Sequence, residues 1–139
     1  MGIEEFPLAW RWTQASHAAL PPEVLASLAP LRTHDAEPLY RRGEQLFPRG
    51  TVAAISHQAL EDPEATRAWL GALPIPASAR VLVVWSRETA ISLPWQTFVA
   101  YWDDFCYPSS DDAFVFPDEG RSALAWNHCE VFEFIKSVP

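Results

Sequence analysis

The spacing of apolar positions along the chain divides it into short amphipathic segments. Trp95, Phe98, Val99, Trp102 and Phe105 fall at i, i+3, i+4, i+7 and i+10, with Pro94 ahead of them and Tyr107-Pro108 behind. That spacing predicts a helix with one apolar stripe, and Gln96, Thr97, Ala100, Asp103 and Asp104 lie largely off it. Asp62-Pro63-Glu64 reads as a helix start: an N-cap, then Pro at the first helical position, then an acid in the first turn. Ala65, Trp69 and Leu73 follow at helical spacing, and Pro74 and Pro76 end the segment. Pro21-Pro22-Glu23 opens a shorter helix in which Val24, Leu25 and Leu28 share a face, closed by Pro30.

Strand patterns fill the intervals. Arg80 to Trp85 is the clearest, and Ser86 to Thr89 turns it back so that Ala90 to Leu93 pairs with it as a hairpin. Thr51 to Ser56 reads as a short buried strand. Ala113 to Phe116 and Ser122 to Asn127 flank Pro117-Asp118-Glu119-Gly120-Arg121, a natural tight connection, and Val131, Phe132 and Phe134 suit a final strand. Residues 31–50 hold Pro38, Gly43, Pro48 and Gly50 among charged side chains. They read as mostly loop with a helical turn near Arg41 to Leu46, and as the expected mobile region. The order of elements predicts a single α+β domain over residues 1–139, with a mainly antiparallel sheet and helices packed on one face.

Composition supports that size of core. The chain has 139 residues, 49% of them hydrophobic, and seven are Trp, whose usual place is the interior. The two cysteines, Cys106 and Cys129, and the absence of a basic-then-apolar leader predict a cytoplasmic protein with reduced thiols. No run reaches the length of a membrane span.

Charge changes the picture more. The net charge is -8. Residues 1–100 carry ten acids and eight Arg (net -2), whereas residues 101–139 carry eight acids against Arg121 and Lys136 (net -6). Such a domain repels nucleic-acid phosphates and anionic membranes, so neither is an expected partner, and it favours a basic protein. Asp103, Asp104, Asp111 and Asp112 stand within ten positions among aromatic side chains. This combination predicts an acidic rim on a packed support, a place for a cationic group to dock, with Tyr101, Tyr107 and Trp126 as aromatic anchors and His128 and Glu130 beside them.

Candidate chemistry is thin. His128-Cys129-Glu130 has the His-x-Glu spacing of zinc deaminases but no downstream Cys pair to complete a zinc shell. The acid spacing matches no calcium loop. Cys106 is flanked by Phe105 and Tyr107 and by acids, which disfavour a thiolate. His17, His34 and His57 stand without ligand spacing, and there is no phosphate-cradling glycine loop or nucleophile elbow. No metal or cofactor is expected. A hydrolase-like enzyme using His128 with nearby carboxylates, and a small-molecule-binding regulatory domain, remain the alternatives to a binding protein.

The run Tyr-Trp-Asp-Asp-Phe-Cys-Tyr-Pro-Ser-Ser-Asp-Asp (101–112), followed by Trp-Asn-His-Cys-Glu-Val-Phe-Glu-Phe (126–134), resembles small acidic bacterial single-domain proteins of an uncharacterised family, similar to toxin-immunity-type proteins. The resemblance covers about the last third of the chain and implies no catalytic residues. What it implies is a non-enzymatic inhibitor that binds a basic protein through its acidic C-terminal surface.

Overall fold

In a computed structural model, which describes residues 2–14, 19–50, 53–60, 62–118 and 121–138, the chain builds one seven-stranded antiparallel sheet. The strands are β1 (Ala29–Pro30), β2 (Ile55–Gln58), β3 (Arg80–Val84), β4 (Ala90–Pro94), β5 (Ala113–Pro117), β6 (Ala123–Asn127) and β7 (Val131–Ile135). Their spatial order is β1-β4-β3-β5-β6-β7-β2. Among the described residues there are also six α-helices: α1 (Trp10–Thr13), α2 (Pro22–Ser27), α3 (Thr33–Leu46), α4 (Pro63–Gly71), α5 (Trp95–Ala100) and α6 (Trp102–Phe105). The expected α+β class and antiparallel sheet are what the structure shows. His17, Thr51 and Val52 of the expected first strand, and Glu119-Gly120 of the expected tight connection lie outside the described residues.

The sheet has two covered faces because its central strands are apolar on both. In β5, Ala113 and Val115 enter the larger core with Val81, Val83, Leu124, Trp126 and Phe132, while Phe114 and Phe116 point the other way. Helices α1, α2 and α4–α6 supply the larger core. The opposite face is closed by α3, in the stretch expected to be mostly loop. Pro38 removes one backbone bond inside α3 but does not end the helix, because the face carrying Ala36, Leu39 and Tyr40 is buried against the sheet and tertiary packing outweighs propensity. Gly43, a loop signal in the sequence, is a packing requirement here. A Cβ at that position would lie 2.2 Å from the Phe114 ring.

Two other boundaries moved. The single helix expected from Pro94 onward is broken at Tyr101 (φ -122°, ψ 29°), so its stripe is divided between α5 and α6. Trp95, Phe98, Trp102 and Phe105 are nonetheless all buried. The first expected strand begins later, at Ile55, and lies at the sheet edge with Ile55, Ser56 and Gln58 exposed.

Candidate acidic docking site

One end of the sheet gathers the acidic segment. There β5 starts, β6 ends, β7 starts, β2 ends and α4 begins, and the 101–112 segment crosses above them. Its backbone is held by tryptophans. The carbonyls at the end of a helix lack intrahelical partners. Here indole N–H groups supply them: Trp12 Nε1 donates to the Asp104 carbonyl at 2.8 Å and Trp85 Nε1 to the Phe105 carbonyl at 2.8 Å. Just beyond, Trp126 Nε1 donates to the Tyr107 carbonyl at 3.3 Å, and Trp102 Nε1 reaches back to the Pro63 carbonyl at 3.2 Å. Four of the seven Trp therefore serve the core and the acidic segment at once.

On this support the four aspartates take three different situations. Asp111 is withdrawn from the rim. It is 6% exposed and accepts a bidentate pair from Arg11, with Nη1 to Oδ2 at 2.6 Å and Nη2 to Oδ1 at 2.8 Å. It also accepts the Tyr107 N–H at 2.9 Å. The Arg11 guanidinium lies 4.0 Å from the Tyr107 ring centroid, a cation–π contact that holds Tyr107 against the body of the protein. This corrects the expectation of an outward-facing Asp111: a carboxylate so deeply enclosed persists only if it is paired and hydrogen-bonded. Asp112 is half-exposed and accepts from the His128 N–H at 3.1 Å, with its Oδ1 also 3.1 Å from His128 Nδ1.

Asp103 and Asp104 stay at the surface as a pair. Asp103 Oδ1 is 3.9 Å from Arg67 Nη2, a loose contact, while the same guanidinium is already engaged by Glu64 and donates from Nε to the Ala100 carbonyl. The Asp104 carboxyl is pushed up from 3.8 to about 6, by burial first and by the Asp103 charge second, with Arg67 opposing both. Because the folded pKa is raised, the stability associated with this group is fully present below the unfolded value and is lost as pH rises through about 6. Asp104→Asn should therefore stabilise the fold relative to the wild type more at pH 7 than at pH 4. Screening of this partly exposed group keeps the expected change to roughly 1 kcal/mol. Urea unfolding of both proteins at the two pH values measures it, and a difference independent of pH contradicts it.

The remaining candidates divide in the same way. Trp126 is 2% exposed, packed on Phe132 with ring centroids 4.7 Å apart and on Trp102. It is no surface anchor, because positions 124 and 126 of β6 face the larger core. Tyr101 and Tyr107 are half-buried, and the Tyr107 hydroxyl is raised by burial, with Asp104 and Asp111 adding and Arg11 opposing. His128 and Cys129 are exposed in the β6–β7 hairpin turn. That turn closes with Glu130 in the left-handed region (φ 65°) and its N–H on the Asn127 carbonyl at 2.9 Å, a three-residue connection of the bulged kind. The Ser109 N–H donates to the His128 carbonyl at 3.1 Å and ties the 107–110 turn to it.

Sequence reasoning missed two apolar residues at this end, Leu60 and Trp10, which are 60% and 40% exposed. Leu60 also has φ 42°, a left-handed conformation unfavourable for a branched, bulky residue, held between β2 and the Asp62 cap of α4. No periodic pattern surrounds either residue, so nothing in the sequence marked them.

The His128–Asp112 contact is the nearest approach to an acid–base pair. It lies on an open turn, and neither the groove lined by Leu46, Phe47 and Ile55 nor the one lined by Arg41, Glu44 and Arg87 borders it. Cys106 is fully buried, its thiol held well above its ordinary range by burial and by Asp111. Among the described residues no three His, Cys, Asp or Glu side chains converge as metal ligands, and no helix is long and apolar enough to cross a membrane. Compared with known proteins, the chain matches no family model, no curated protein and no solved structure.

Proposed function

We propose that this chain is a non-enzymatic, cytoplasmic protein-binding domain, of the bacterial immunity or antitoxin type, that holds a basic protein partner at the acidic end of its sheet. What supports the reading is the crowding of Asp103, Asp104, Asp112, Glu130, Asp62 and Glu64 around that end, where the Arg67 guanidinium is set against Glu64 and Asp103 and the His128 ring lies against Asp112. A carboxylate pair under mutual repulsion on a tryptophan-held backbone gains from any cation that approaches it. Little reorganisation is needed at the moment of binding, so less of the interaction energy is lost to ordering. Exposed Leu60 and Trp10 supply apolar contact within the same surface, the mixture of anchor and polar rim found at protein interfaces.

Acidic rims act chiefly on association rate. The combined variant Asp103→Asn, Asp104→Asn, Asp112→Asn, Glu130→Gln should keep the fold and bind the partner more slowly, by roughly tenfold or more at low salt. Its salt dependence should also be flatter than that of the wild type. Capture of the partner from the source cell, followed by binding kinetics over a salt series, checks this. A partner that binds the variant with unchanged kinetics at low salt would show that these carboxylates are a solvated edge and no docking site.

A further inference from the structure

The sheet has two edges, and they are treated differently. β1 is two residues long and ends in Pro30, which has no N–H to offer. β2 is four residues, Ile55-Ser56-His57-Gln58, without Pro, Lys or any acid. Its pairing with β7 fixes which backbone groups are free. The register sets Ile55 opposite Phe134, His57 opposite Phe132 and Gln58 opposite Val131, and the Ala59 N–H continues it to the Glu130 carbonyl at 2.8 Å. Hydrogen-bonded and open positions alternate along an antiparallel pair. Ala59, His57 and Ile55 therefore turn their backbone groups to β7, and Ser56 and Gln58 turn theirs outward. No other described residue bonds to those outward groups.

The surroundings of this edge are acidic at its end and largely apolar at its start. At its end lie Leu60, Glu130 and Asp62. At its start a groove of about 410 Å³ opens, lined by Leu46, Phe47, Ala54, Ile55, Glu133 and Ile135, with Lys136 also on its wall. Glu133 is 8% exposed, and its Oε1 accepts the Ala53 N–H at 2.7 Å. It stands opposite Ser56 on the same face of the sheet. A strand added outside β2 would carry alternate side chains past the small Ser56, two strand spacings or about 10 Å from Glu133, a span a long basic side chain covers.

We infer that the β2 edge is a strand-addition site for an extended basic segment of the partner, whose backbone pairs with Ser56 and Gln58 and whose Arg or Lys side chains meet Glu133 at one end and the acidic end of the sheet at the other. This rests on the reading above and adds the mode of binding to it. Main-chain pairing gives such a complex its affinity and alternate side chains its specificity. A second copy of the chain is a poorer occupant, because it would set two bodies of charge -8 and two copies of Glu130 and Glu133 side by side.

The test uses the full chain and a ten-residue peptide of alternating Arg and Val, with two controls: the same peptide with Glu for Arg, and the Arg peptide N-methylated at every residue so that neither of its edges can pair as a strand. The Arg peptide should slow amide hydrogen exchange at Ser56 and Gln58 by at least about tenfold, and the Glu peptide should not. N-methylation, and separately Gln58→Pro, should each weaken binding about tenfold, the loss of one or two backbone hydrogen bonds. Gln58→Pro removes an outward N–H only, so the ladder to β7 is kept. Equal binding by the methylated peptide and by Gln58→Pro, with no protection at Ser56 or Gln58, overturns strand addition. The acidic-end reading then stands separately if the four-residue neutral variant has lost the peptide. Conversely, loss of binding in Gln58→Pro with none in the neutral variant keeps the edge and removes the acidic end. No binding of the Arg peptide at millimolar concentration, equal protection by the Glu peptide, or protection of the same amides by dimerisation without peptide also overturns the inference.

Discussion

Asp111→Ala should lower the unfolding free energy by about 3–5 kcal/mol, the cost of leaving a buried charge without its partner. Arg11 is 6% exposed, and both of its terminal nitrogens are spent on Asp111, while its Nε has no hydrogen-bond partner among the described residues. With the carboxylate gone, the Tyr107 and Trp10 rings would remain against the guanidinium. The Tyr107 N–H would lose its acceptor as well. A cost of this size is a large fraction of the stability of an ordinary domain. The double replacement Arg11→Met with Asp111→Leu removes both charges and should recover most of the loss, since apolar groups of similar volume often serve as well as a buried pair. Urea unfolding of the single and double variants decides it. If Asp111→Ala is as stable as the wild type, the pair is not buried as described.

Phe98→Ala should cost a comparable amount, about 3–5 kcal/mol, for a different reason. Phe98 is 0% exposed and lies between two rings, 5.4 Å from Trp95 and 5.9 Å from Phe105. Truncation opens a cavity that α5 and α6 cannot close by moving, because Trp95 N–H is fixed to the Ala79 carbonyl, the end of α6 is fixed by the indoles of Trp12 and Trp85, and the segment after it by that of Trp126. A variant with the urea midpoint of the wild type would contradict the packing of α5.

What could be read from the sequence was what local chemistry decides. The Asp62 cap is there, with its Oδ1 accepting the Ala65 N–H at 3.0 Å, and so is the hairpin from Arg80 to Pro94. The strands around Ala113, Ala123 and Val131 fall within a residue or two of the expected bounds. The stripe from Trp95 to Phe105 is buried as a set even though Tyr101 interrupts the helix. The rest depends on contacts across long separations. Helix α3 exists because Phe114 and Phe116 face away from the main core, and a stretch holding Pro38 and Gly43 gives no local sign of that. Asp111 left the rim because its partner, Arg11, lies 100 residues earlier, in a segment with no strong periodicity. Trp126 was legible in principle: alternation with Leu124 puts it on the core face.

The central claim is that Asp103 and Asp104 form a strained carboxylate pair suited to a cation. NMR titration of the side-chain carboxyl carbons, with and without hexa-arginine at saturating concentration, tests it most directly. Alone, Asp104 should titrate near pH 6. With the peptide bound, the added positive charge should favour the ionised form and bring the midpoint down by about one unit or more. A midpoint near 6 that the peptide leaves unmoved, or an Asp104 that titrates in the ordinary carboxylate range from the start, would contradict the account.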